Sequence, residues 1–364
     1  MRLLLAFSVV ICHVGFGAPP LMSIPGVDVS FRILPADLAV QCFFVISGFY
    51  MSLILGKRYS LDRAGLRRFY SNRLLRLVPT YWTILLLFVV FAAVNGRFYR
   101  FEWAQYFGIL EKLPLSTSLW IAFTNVTMIG QDTLMFMGLN ETGHMQWTGN
   151  AETGPIPLHF FILNPPAWSL SLELWFYMLA PWFAGRHWRT LLGVCVASLA
   201  LRIVLAVNGY HGGIWGDRFF PSELLLFVGG MLLERAYSKY QDFFTQTLSK
   251  IAFGVLTVLI VAYWFIPLDP SVVHFGFLTI FAGAVPFLFA LTKDNKWDRA
   301  IGELSYPLYL CHIFVQLFVF SKMRATPQDA SWIIAGISIG LALAIHLGVE
   351  LPIERLRRRL ASKS

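Results

Sequence analysis

Residues 2–13 read RLLLAFSVVICH, a cation and an imidazole at the two ends of an apolar run. A separation of eleven residues is about three helical turns, so Arg2 and His13 share a face and stand roughly 16 Å apart along the axis. In a hydrocarbon core about 30 Å thick, that puts a guanidinium at one surface and an imidazole near mid-depth. Ionisable groups held at such depth are costly and mark function. The stretch therefore reads as the first helix of a membrane bundle with a reaction or transport centre inside it. A basic residue followed by an apolar run with Ala18 beyond it also matches a cleaved signal peptide. The many apolar spans that follow favour a retained helix, and with it a retained His13.

The rest of the chain agrees. Of its 364 residues 57% are hydrophobic and 13% charged, and the mean hydropathy is +0.63. A soluble chain carries about a quarter charged residues. The formal net charge of +9 does not indicate a nucleic-acid partner, because the basic residues sit in short clusters between apolar spans and such clusters are first a topology signal. Cys12, Cys42, Cys195 and Cys311 all lie in apolar segments without paired spacing, and read as small buried hydrophobes.

The expected fold is an all-α polytopic bundle of about ten spans: 3–17, 37–56, 77–94, 167–184, 190–207, 219–235, 250–266, 273–291, 304–321 and 331–351. With the N-terminus inside, inner segments hold 21 of the 29 basic residues and outer loops hold seven, which predicts that both termini are cytoplasmic. Residues 1–356 form one membrane domain and 357–364 a basic tail. The longest loop, about 95–166, lies outside and contains an amphipathic or re-entrant candidate from Leu115 to Met128. Loops of that length serve as lids or binding surfaces, or pack as a cap. Asn125 and Asn140 each open an N-x-T glycosylation pattern.

Several segments hold residues that could carry chemistry. In FFVISGF (43–49), Gly48 allows close backbone approach and Ser47 shares a face with Phe43 and Phe44. In RLLR (73–76), Arg73 and Arg76 form an i,i+3 pair that could clamp a phosphate or anchor the inner surface. Asn164-Pro165-Pro166 starts a helix reading WSLSLELWFY (168–177), where Ser169, Glu173 and Tyr177 form a polar stripe. Glu173 needs a partner at its depth, and His13 and Arg202 are the candidates. In SYPLYLCH (305–312), Tyr309 and His312 share a face, and His312 reads as bonding a neighbouring helix or orienting substrate; His346 reads as structural. The histidine spacing supports no metal site, and there is no glycine-rich nucleotide loop or GxSxG elbow.

Taken in order, Arg2 and His13, FFVISGF, RLLR, WSLSLELWFY, SYPLYLCH and the closing Glu350-Leu-Pro352 resemble the acyltransferase-3 family of membrane O-acyltransferases over nearly the whole chain. The resemblance implies transfer of an acyl group, commonly acetyl, from cytoplasmic acyl-CoA to a hydroxyl of an extracytoplasmic cell-envelope glycan. It further implies a multi-pass protein of a bacterial inner membrane. His13 would be the catalytic base, and Arg2, Arg73 and Arg76 would hold the donor. Acetyl-CoA would be a substrate, with no tightly bound cofactor. Glu173 would orient the imidazole, while Ser47 and Tyr177 would either help an oxyanion or pack, and Tyr309 and His312 would support the substrate. Where family members often have an acid two positions before the paired phenylalanines, this chain has Gln41, so Glu173 and Asp37 are the remaining acids to consider. Direct transfer and an acyl-histidine intermediate are both open. The rival reading is a proton-coupled transporter or flippase with His13, Glu173 and Arg202 lining the path; no internal repeat supports it.

Overall fold

The computed structural model describes residues 1–14, 33–98, 101–148, 157–210, 213–322 and 327–362. Helices dominate: α1 (Arg2–Val14), α2 (Ala36–Lys57) and α3 (Arg63–Asn95), the last opened by Asp62, whose carboxylate accepts from the Gly65 N–H at 2.7 Å. The Ser60 hydroxyl and that N–H hold the Asp62 carboxyl below its ordinary range. The long loop then folds as β1 (Arg97–Phe98), β2 (Phe101–Glu102), α4 (Trp103–Lys112), α5 (Leu115–Thr127), β3 (Met137–Leu139) and β4 (Met145–Trp147). Its strands form two small antiparallel hairpins. The bundle resumes with α6 (Trp168–Ala184), α7 (Trp188–Val207), the short α8 (Gly213–Asp217), α9 (Phe220–Lys239), α10 (Gln246–Ala262) and α11 (Pro270–Thr292). It closes with α12 (Lys296–Glu303), α13 (Ser305–Lys322), α14 (Pro327–Ile345), a π-helical turn over His346–Glu350, and α15 (Leu351–Ser362).

Each of the ten expected spans falls on a helix, though the first is described only to Val14. Among the described residues seven helical stretches are long and apolar enough to cross a bilayer, and the chain is an all-α polytopic membrane protein. Its outer surface fits that solvent: Leu86, Val90, Val196, Ile203 and Val258 are all more than half exposed, which hydrocarbon tolerates and water would not favour in such number. The shorter helices are the informative ones. The described part of α1, 13 residues, covers about 20 Å. It is sheltered inside the bundle, where Leu5, Ala6, Val9 and Val10 are almost wholly buried. The 17-residue α6 is likewise lined by buried Leu172, Phe176 and Ala180. These two sheltered helices carry His13 and Glu173.

α2 and α9 cross with their backbones in contact. A Cβ added at Gly48 would lie 1.9 Å from the Phe227 carbonyl oxygen, and one at Gly230 would lie 2.2 Å from that of Val45. The expected close approach at Gly48 is therefore real. The long loop is a packed cap seated on α3: the Tyr81 hydroxyl donates to the Asn125 carbonyl at 2.5 Å and the Trp82 indole to Val126 at 2.8 Å. Asn125 is buried and its side-chain amide is fully engaged, with Ile121, Phe161, Leu163 and Gln131. Its glycosylation pattern is thus a chance match in the folded chain.

Candidate active site

α1, α2, α3, α6 and α13 enclose a cavity of about 190 Å³. It runs from Arg2, Tyr50 and Arg76, at the end of the bundle where the basic residues cluster, to Ser169 and Tyr309 deeper in. Phe43, Phe44, Ile46 and Leu77 supply apolar walls. α1 and α13 bring their first residues to the basic end, and α2 and α6 bring their last turns there. Side chains from distant sequence positions meet at one depth for that reason.

The basic end of the cavity is lined by two guanidiniums, Arg2 and Arg76. Arg2 lies over the Tyr50 ring at 5.7 Å and rests on Gly302, where a Cβ would stand 2.7 Å from a guanidinium nitrogen. Arg76 lines the cavity and keeps exposed surface there. Arg73 does not reach the lining: it is buried behind it, over the rings of Phe69 at 6.0 Å and Tyr177 at 5.9 Å, with its Nε lacking a hydrogen bond. Among the described residues none of the three makes an ion pair. Of the three only Arg73 is fully buried, and a buried guanidinium without a counter-charge is costly.

Glu173 faces the same cavity, and its partners differ from those expected. Ser47 Oγ donates to Glu173 Oε1 at 2.8 Å, and the Tyr177 hydroxyl donates to the same oxygen. Neither His13 nor Arg202 is its hydrogen-bond partner, because Arg202 is spent elsewhere: it pairs with Glu223 and the Gly216 carbonyl. Gln41 joins that second cluster, donating to Glu223 at 3.1 Å and accepting from His274 Nε2 at 2.7 Å. His274 Nδ1 in turn stands 3.9 Å from Asp37. An amide at position 41 can donate to one neighbour and accept from another, whereas an acid there would set a second carboxylate against Glu223. Asp37 is thereby accounted for and is not the acid beside His13.

His13 is held by its own helix. Its Nδ1 is 2.9 Å from the Val9 carbonyl, an acceptor only, so Nδ1 carries the proton and Nε2 keeps a lone pair. The ring meets that of His312 at 4.9 Å between centroids. His312 Nδ1 donates to the Tyr309 carbonyl at 2.6 Å, and its buried Nε2 has no hydrogen bond. Tyr309 closes the route from cavity to histidines. Its hydroxyl lies 2.8 Å from Ser169 Oγ and 3.0 Å from the Pro166 carbonyl, and its ring is 6.0 Å from that of His312. Tyr309 thus bonds the segment that opens α6 and lines the cavity at once, whereas the bond expected from His312 to a neighbouring helix goes instead to a carbonyl of its own helix. His346 bonds Glu350 at 2.8 Å, and Glu350 also accepts from Thr80 at 3.0 Å, tying the last helix to α3.

Of the residues singled out in the sequence, Arg2, Ser47, Arg76, Glu173, Tyr177 and Tyr309 line the cavity. His13 and His312 stand beyond Tyr309, and Arg73 stands behind Tyr177. Tyr50 and Tyr306 also line it and were not singled out. Neither was Arg218, whose guanidinium covers the Trp168 ring at 4.9 Å. The available signal for Arg218 was its place among the few basic residues on the side that the positive-inside rule leaves poor in them.

A family profile described as an acyltransferase domain, the third of that name, matches residues 1–349. A protein of Aquifex aeolicus (strain VF5), itself described as uncharacterized, is 24% identical over 205 residues, 54% of this chain and 90% of that protein. No solved structure matches the chain.

Proposed function

The chain belongs to the acyltransferase-3 family, and from that premise we propose that this membrane acyltransferase moves an acyl group from acyl-CoA to a hydroxyl of an extracytoplasmic glycan, with His13 as general base. The observation that carries the proposal is the cavity with unpaired guanidiniums at its basic end and Tyr309, next to the histidine pair, at its deep end. Arg2 and Arg76 hold the CoA phosphates, with Arg73 adding charge from behind. The pantetheine arm lies along Phe43, Phe44 and Leu77, and the thioester arrives beside Tyr309. By family precedent the acyl group is acetyl, the acceptor is a cell-envelope polysaccharide and the membrane is a bacterial inner membrane.

The proton route follows from the tautomer. His13 Nε2 takes the hydroxyl proton as the acceptor oxygen attacks the thioester carbon. The C–S bond then breaks, and the imidazolium returns the proton to the departing thiolate, leaving an ester and free CoA. Ser47 and Tyr177 give their protons to Glu173, so they fix that carboxylate rather than an oxyanion.

Purified protein in nanodiscs should bind acetyl-CoA. Arg76→Gln should weaken that binding by about tenfold or more, since a hydrogen bond to a charged group is worth about 1.5–3 kcal/mol. Arg2→Gln should act in the same direction. Unchanged affinity in both variants would remove the donor from this cavity.

A further inference from the structure

The end of the bundle opposite the basic cluster carries an aromatic shelf outside the cavity. Phe136 meets Trp215 at 4.9 Å and Trp147 at 6.4 Å between centroids, and Tyr210 meets Trp215 at 5.3 Å. Phe136 is buried beneath, while Trp147 is 60% and Tyr210 40% exposed. Interfacial aromatic anchors commonly face lipid one by one. These rings pack against one another instead, and Trp147 stands on the β3–β4 hairpin. The turn of that hairpin reads NETGH (140–144), too polar for hydrocarbon.

Arg218 stands beside the shelf. Phe219, next in sequence, meets Trp215 at 5.3 Å. One guanidinium nitrogen of Arg218 reaches only the Met135 sulfur, at 3.4 Å, and its buried Nε has no hydrogen bond. The nearby acids make no ion pair with it among the described residues. Asp132 accepts from Ser171 at 2.5 Å and Trp175 at 3.1 Å. Burial, with the neighbouring Asp37 charge adding to it and the Arg218 and Arg202 charges opposing it, pushes the Asp217 carboxyl up to about 6. Trp168, under the guanidinium, precedes Ser169, which bonds Tyr309, and Tyr309 in turn stands 6.0 Å from the His312 ring. Arg218 thus lies between the exposed rings and the histidine pair.

We infer that the shelf and Arg218 form the acceptor subsite, and that its ligand is an anionic sugar residue. A pyranose presents a face of C–H groups to the electron-rich ring faces of Trp147 and Trp215, and its carboxylate or phosphate meets the free fork of Arg218. The inference rests on the acyltransferase reading and adds the substrate class.

The test is calorimetric titration of the full chain in nanodiscs with methyl glucuronide, glucose 6-phosphate, methyl glucoside and, separately, acetyl-CoA. At least one of the two anionic sugars should bind about tenfold or more tightly than the neutral one, and which of them does so tells carboxylate from phosphate. Arg218→Gln should erase that preference, Trp147→Leu should weaken all three sugars, and both variants should still bind acetyl-CoA. Equal binding of the three sugars by wild type, no sugar binding at all, or a preference that survives Arg218→Gln would overturn the inference while leaving donor binding intact. Should Arg218→Gln fail to fold, the wild-type comparison still decides. Failure of the wild type to bind acetyl-CoA would instead strike the acyltransferase reading itself.

Discussion

Replacing His13 by alanine should lower acceptor-dependent CoA release by about 10²- to 10⁴-fold, the range that a positioned general base contributes. The expectation follows from the ring's setting. Nδ1 is occupied by the Val9 carbonyl, so Nε2 is the one nitrogen with a lone pair to accept the acceptor's proton, and alanine removes it. Acetyl-CoA affinity should change little, because His13 is not among the residues lining the donor cavity. Stability should fall somewhat, since alanine removes a ring packed against His312 as well as the bond to Val9, so thermal unfolding is followed alongside activity. The informative result is therefore a kcat collapse at near-constant donor affinity, measured by release of the free thiol from acetyl-CoA in the presence of acceptor. Turnover at the wild-type rate would mean that the base lies elsewhere, and His312 would be the next candidate. His13→Gln should be as inactive as alanine, because an amide fills the space without taking a proton.

The second large effect concerns the fold. Gly230→Ala should destabilise the protein by about 3 kcal/mol, the upper part of the range for overpacking. The new methyl would meet the Val45 carbonyl oxygen at 2.2 Å and the Phe49 nitrogen at 2.8 Å. Those are backbone atoms of a helix and cannot swing aside, so α2 and α9 would have to separate. The adjacent Gly229 is the control, for a Cβ there meets nothing within 4 Å. Gly229→Ala should be neutral or slightly stabilising, alanine being favoured over glycine in a helix by up to about 1 kcal/mol. Thermal unfolding in detergent, followed in parallel for the two variants, checks the contrast. Equal behaviour would mean that the helices do not touch at this point. Activity should fall with stability in Gly230→Ala, because Phe43, Phe44 and Ser47 of the displaced α2 form part of the cavity wall.

The helices were legible in the sequence because hydrocarbon leaves a chain few choices: backbone groups must bond within the segment, so every long apolar run became a helix. The cavity residues were legible for a related reason. Arg2, Arg76 and Glu173 are expensive in that solvent, and the expense shows in a single sequence as an odd residue in an apolar run. Pairing was not legible. Periodicity places Glu173 on a face and at a depth, and the same depth suits His13, Arg202, Ser47 and Tyr177 equally well. Which of them the carboxylate meets depends on how α2 and α6 are rotated, and the Gly48–Phe227 contact settles part of that from outside both motifs. The ligand of His13 Nδ1 was invisible for a different reason, since a main-chain carbonyl one turn back leaves no mark in the residue pattern. Arg218 was missed because a single arginine in a loop looks like any other, until it proves to make no ion pair among the described residues.

The π-helical turn at His346–Glu350 is an insertion frozen into the last helix. One residue more than an α-turn needs is held there by the ties of Glu350 to His346 and Thr80, and such bulges recur at functional positions. Removing any one residue from 346–350 would let the helix return to ordinary winding and rotate everything after it by about 100°. Arg357 would then leave Asn72, which it now reaches at 3.1 Å, and the basic face of α15 would turn away from α3. The reading frame of this helix is thus measured in angle as well as in length. A substitution anywhere along α15 is a smaller change to its basic surface than a one-residue deletion a full turn upstream.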